Sequence, residues 1–164
     1  MKTIFNKKLY CLCVAVCCLH LSSYAQIPCE NRLAGEYPCE RYGLQDHLSE
    51  TELGTTFVND SWGWTDPASG KEYALVGLRD GTAFIDISIP TDVQWLGTLP
   101  THTNASTWRD VKVYDNYAFI VSEAAGHGMQ IFDLTRLRTT NNTPQTFTED
   151  AHYDGFGAAH NIII

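Results

Sequence analysis

The sequence predicts an all-β protein, and three observations carry that expectation. No long segment has a convincing helical period. Short runs of β-branched and aromatic residues alternate with Gly, Asp, Asn and Pro turns. One arrangement of such runs is written twice: YALVGLRDGTAFIDISIPTDVQWLG (73–97) and YAFIVSEAAGHGMQIFDLTRL (117–137) both open on Tyr-Ala and cross an apolar segment. Both then turn at glycine and return through an Ile/Phe-rich run closed by Asp. Tyr73 and Tyr117 stand 44 residues apart, and Asp86 and Asp133 stand 47 apart. A four-stranded unit repeating near this length is the signature of propeller blades.

Taken in order, the chain opens on MKTIFNKK, with Lys2, Lys7 and Lys8, then the apolar run LYCLCVAVCCLHL, then SSYAQ. Charged, apolar and small-residue regions in that order predict a signal peptide over 1–25, cleaved between Ala25 and Gln26. The apolar run is well short of the roughly 20 residues of a membrane span. Acylation at Cys17 or Cys18 is the weaker alternative, since neither directly follows a small residue. The leader carries three of the 11 Lys+Arg and none of the 19 Asp+Glu, so the mature charge is 8 − 19 = −11. So acidic a surface repels phosphate backbones and anionic headgroups, which excludes nucleic-acid and peripheral membrane binding from the expected functions. Of six cysteines, only Cys29 and Cys39 remain after cleavage. In an oxidising compartment they are expected to pair as a disulfide within the N-terminal segment 26–57; a metal reading needs further ligands, and none is nearby.

Segment 58–164 divides into two units. SWGWT, YALVGLR, TAFIDIS and VQWLGTL form the first; WRDVKVY, YAFIVSE, MQIFDLT and QTFTE form the second. DPASGK (66–71), Asp80-Gly81, Asp115-Asn116 and EAAGHG (123–128) supply turns, and Pro90 ends a strand. Inner runs apolar on both faces suit sheets sandwiched between neighbours. AHNIII begins a third unit where the sequence stops. The expected fold is therefore a β-propeller fragment, two four-stranded blades plus the first strand of a third, with the remaining blades missing from this chain.

CENRLAGEYPCERYGL, NDSWGWTDPASGKEYALVGLRDGTAFIDIS, STWRDVKVYDNYAFIVSEAAGHGMQIFDLTRLR and AHNI resemble the choice-of-anchor B family, secreted bacterial proteins built from LVIVD-type repeats. TAFID (82–86) and MQIFD (129–133) stand for the repeat core, with Gln130 where an apolar residue is usual. The resemblance implies a β-propeller and a secreted, extracellular or cell-surface location. It implies a C-terminal anchor that this chain does not reach, and no assigned reaction.

Loops joining second to third strands share a face of a propeller with loops joining one blade to the next. His102, His127, His152 and His160 all fall in such loops, as do Arg109, Asp110, Glu123 and Asn161. Arg109, Asp110, Glu123, His127, His160 and Asn161 are the ligand-binding candidates. Arg109 and Asp110 are expected first of all to be buried partners tying neighbouring blades. The four histidines are the weak metal-ligand candidates, since none has zinc-motif spacing. Glu123 and His127 are expected to meet across their turn, as a stabilising pair or an acid/base pair. Asp86 and Asp133 are expected to accept hydrogen bonds from their following turns. Trp62, Trp64, Trp95 and Trp108 read as core or inter-blade packing. No GxSxG, P-loop or HExxH motif is present, so no catalytic residue and no cofactor is assigned. The expected function is a non-catalytic binding or scaffold module with a protein or glycan ligand. The alternative is a propeller enzyme, hydrolase or metal-dependent oxidoreductase, which a bound transition metal would favour.

Overall fold

The structure is a computed structural model that describes residues 26–141 and 143–164; the expected signal peptide, with Ala25 on one side of its cleavage site, lies outside the described residues. The fold is all-β. Two short strands, β1 (Leu33–Ala34) and β2 (Tyr37–Pro38), form a minimal antiparallel hairpin near the N-terminus. Strands β3 (Val58–Thr65), β4 (Glu72–Leu78), β5 (Gly81–Asp86) and β6 (Gln94–Pro100) form one antiparallel meander. Strands β7 (Arg109–Tyr114), β8 (Tyr117–Ser122) and β9 (Met129–Asp133) form a second, completed at its edge by β11 (Ala151–Tyr153). Neither sheet closes on itself.

The sequence places the first seven of these eight sheet strands well and misplaces the eighth. QTFTE was the expected last strand of the second unit. Instead β10 (Gln145–Thr146) crosses to the first sheet and runs parallel to β6, pairing Gln145 with Gly97. Gly97 makes this possible: its φ is +148°, and a Cβ there would sit 2.0 Å from the Gln145 carbonyl oxygen. The crossing covers an otherwise open strand edge. It starts from a 3-10 helix, Leu134–Thr139, whose first two residues the sequence predicts to continue the strand MQIFDLT. Leu134 and Leu137 are buried on it, so a local apolar spacing hidden in DLTRL wins over extension. Residues 159–164 form no strand, unlike the expected AHNIII; a strand needs a ladder partner, and here Ile162 N donates only to the Asp110 carboxylate. The first hairpin turns at Arg79-Asp80, one residue earlier than expected, because Gly81 pairs with both Leu78 and Pro100.

The two sheets pack face to face around one apolar core. Leu75, Phe84 and Leu99 of the first sheet meet Val111, Ile120 and Phe132 of the second. Phe84 stacks on Phe132 with centroids 4.4 Å apart, and Phe147 meets both rings edge-on. The other face of the first sheet holds Leu78, Ala83 and Ile85, covered by Leu53 of the N-terminal segment. β5 is thus buried on both faces, as its unbroken apolar run requires. The first strands of the two sheets are neighbours: Asn59 Nδ2 donates to the Arg109 carbonyl at 2.6 Å, and Asp60 accepts from Val111 N at 2.9 Å.

Cys29 and Cys39 stand at disulfide distance, Cα–Cα 5.9 Å, within the range a bridge requires. They bracket the β1–β2 hairpin, whose existence the sequence did not suggest; Gly35 at φ +64° forms its turn rather than breaking it. Among the described residues no helix is long and apolar enough to cross a membrane.

Candidate functional site

The loops between β4 and β5, β6 and β7, and β8 and β9, and the segment after β11, gather at one end of the two sheets. Backbone hydrogen bonds tie them: Ser106 N to Arg79 O, Thr101 N to Asp80 O, Ala159 N to Ser122 O and Gly128 N to Gly157 O. This is the end that carries the candidate residues, which separate into four groups.

Arg109 and His127 form the buried group. Arg109 begins β7 and is 1% exposed. Its Nε donates to Leu78 O at 3.1 Å, across the seam between the sheets, and its Nη1 donates to His127 Nε2 at 3.0 Å. His127 Nδ1 faces Gly128 O at 3.1 Å. A carbonyl only accepts and a guanidinium only donates, so the imidazole is neutral with its proton on Nδ1. Burial pushes the His127 pKa below its ordinary value, and the guanidinium lowers it further. Burial likewise brings Arg109 down to about 10. His127 and Glu123 do not meet, against the expected pair: the loop aims His127 inward at Arg109 and leaves Glu123 outside.

Asp110 forms the second group, 5% exposed. It pairs with Lys112 and accepts from Ile162 N at 2.7 Å and Asn161 Nδ2 at 3.4 Å. Burial alone would raise its pKa; Lys112 and the Ile162 amide outweigh that and hold it low. Arg109 and Asp110 therefore do not pair with each other. Arg109 ties the two sheets, and Asp110 ties the segment after β11 to β7.

The third group is solvent-facing. Glu123 Oε1 lies 2.6 Å from His160 Nδ1, and the His160 ring is 5.8 Å from that of Trp108. Trp108 is 48% exposed, and Trp62 is 43% exposed beneath the Lys112 ammonium, so neither is the packing residue expected of it. Only Trp64 is fully core; Trp95 is half-buried.

Of the four histidines, His102 and His152 come together, with rings stacked at 3.6 Å, and Glu149 joins them through His102 Nδ1 at 2.8 Å. His127 is near, its ring centroid 6.4 Å from that of His102, while His160 belongs to the separate group with Glu123. Sequence reasoning misses Glu149, and marks Gln130 only as a polar departure from the repeat core. Glu149 precedes His152 by three residues, a spacing that carries no signal in irregular chain. A larger cavity, about 360 Å³, lies away from the histidines, against Leu53, Trp95 and Thr146. Comparison with known protein families, with curated proteins and with solved structures finds nothing that matches this chain.

Proposed function

We propose that this chain is two adjacent blades of an exported β-propeller that binds a protein or glycan ligand, without catalysis, through its histidine-bearing loop face. The observation that carries the reading is the seam: β3 and β7, the first strands of the two meanders, lie side by side, so both sheets fan out from a common edge. Neighbouring blades of a propeller have this relation. The order of charge, apolar run and small residues in the leader supports export, as does the Cys29–Cys39 pair. The half-exposed Trp108 beside Glu123 and His160 is the contact patch. It combines an aromatic face with a charged hydrogen-bonding pair, the combination by which binding surfaces anchor a partner.

Screening the purified exported protein against arrayed glycans and extracellular proteins tests the reading. A ligand is expected whose binding falls at least about tenfold in Trp108→Ala and Glu123→Ala, the loss of one anchor. Binding that ignores both substitutions but is lost on changing Asp115 or Asn116, at the opposite end, would contradict it. The grouping of His102, Glu149 and His152 favours a second reading, a metal-dependent enzyme on the same face.

A further inference from the structure

Three parts of the chain that are distant in sequence converge near β9. His102 comes from the loop after β6, Glu149 from the link between β10 and β11, and His152 from β11 itself. One ligand atom from each lies within 4.8 Å of the others. We propose that His102, Glu149 and His152 form a binding site for a zinc-type divalent metal ion, with a coordination position open to solvent.

The donor set is right for such an ion. Two imidazoles and one carboxylate, with a fourth position left for water or a ligand oxygen, is a recurring arrangement for accessible zinc. The groups behind the ligands are arranged as metal sites arrange them. Metal-binding histidines hold the other ring N–H on a carbonyl or carboxylate, which fixes the free nitrogen toward the ion. His152 Nε2 lies 2.7 Å from the His127 carbonyl oxygen, so Nε2 carries the proton and Nδ1 keeps its lone pair. Gln130, 2% exposed, donates through Nε2 to Glu149 Oε2 at 2.8 Å and to Pro100 O at 3.0 Å. That leaves Glu149 Oε1 for the ion; it lies 2.8 Å from His102 Nδ1, and an ion bound by both residues replaces that hydrogen bond. Gln130 Oε1 is buried without a hydrogen-bond partner among the described residues. The equivalent position of the first unit, TAFID, holds Ala83, and a polar side chain buried at such cost needs a purpose.

Gly128 lets the ligands approach. Its φ is +59°, and a Cβ there would fall 2.3 Å from Tyr153 O and 3.0 Å from His152 Nε2. The Arg109 guanidinium occupies His127 Nε2, so His127 serves the site through its carbonyl and not as a ligand. A cavity of about 270 Å³, bordered by His102, Gln130, Thr148 and Glu149, gives access. The two stacked rings are nearly parallel, 7° apart, which sends their lone pairs side by side. Binding therefore tilts His102, the exposed ligand, out of the stack and breaks its hydrogen bond to Glu149, while His152 keeps the His127 carbonyl and Glu149 keeps Gln130.

The site rests on its own geometry and not on the blade reading, so the two can fail separately. Calorimetric titration of the chelator-stripped, exported protein with Zn²⁺ tests it, with Co²⁺ as a spectroscopic probe. One ion per chain is expected, with the intense visible bands of low-coordinate Co²⁺ bleached by Zn²⁺. His152→Ala and Glu149→Gln each weaken binding by at least about tenfold. Glu149→Gln keeps shape, so it decides the matter if His152→Ala does not fold. His160→Ala leaves the titration unchanged. Heats equal to those of buffer, affinity unaltered in both ligand variants, or binding lost in His160→Ala would overturn the site.

Discussion

His127 carries the first pH-dependent prediction. Its folded pKa is depressed by burial and by Arg109. In acid the unfolded chain takes up a proton that the folded chain refuses, so its contribution is full above about pH 6.5 and is lost as pH falls through the folded value. Urea denaturation across this range should show stability declining below about pH 6.5, with that part of the slope absent in His127→Gln. Asp66 adds a second, more acidic window. Two hydrogen bonds from Arg138, at 3.0 and 2.5 Å, hold its carboxyl far below the usual range against the burial that would raise it; Ser69 and Ala68 assist. That contribution is present above about pH 3.9 and disappears as pH falls toward the folded value, so Asp66→Asn should flatten the acid limb. At this scale the sequence is readable where partners are close along the chain. Asp86 accepts from Ser88 N and Asp133 from Thr135 N, as their turns suggest. Glu123 and His127 are only four residues apart, yet their partners, His160 and Arg109, are 37 and 18 residues away. Nothing local distinguishes the two cases.

Among the elements, alternation and turn chemistry mark the strands from β3 to β9, including the two-residue turn at Asp115-Asn116, where Asp115 has φ +55°. They mark β10 as a strand, within QTFTE, but not the sheet it joins, and they do not mark β11. Each is three residues or fewer and owes its conformation to what lies beside it, β6 for one and β9 for the other. So short a run has no period to read. The site suffers most from this, because Glu149 lies between those two strands. Gly97 is the element-scale test. In Gly97→Ala the new methyl meets Gln145 backbone, so β10 must leave β6. A loss of about 2 kcal/mol or more is expected from urea denaturation, with fast amide exchange appearing at Phe147, whose N–H donates to Thr98 O. An unchanged midpoint would mean that β10 is not docked there.

At the scale of the molecule, the doubled pattern announced two equivalent sheets, but not which faces would meet. That choice is made by a few large side chains, Phe84, Phe132 and Phe147, and by Arg109 reaching from β7 to Leu78 O. Arg109→Met should cost about 3 kcal/mol in thermal or urea unfolding, since it removes a charged donor from two buried acceptors. The same seam brings the loops to one end, and the candidate site exists only because it does. The account therefore depends on the two sheets being one cooperative unit. Native-state amide hydrogen exchange in Phe84→Ala, compared with the wild type, tests this most directly. Removing a fully buried ring costs about 3–5 kcal/mol. The account predicts that slow amides of β8 and β9 lose the same protection as those of β4 and β5. Protection lost from β4 and β5 alone, with β8 and β9 exchanging as before, would contradict it.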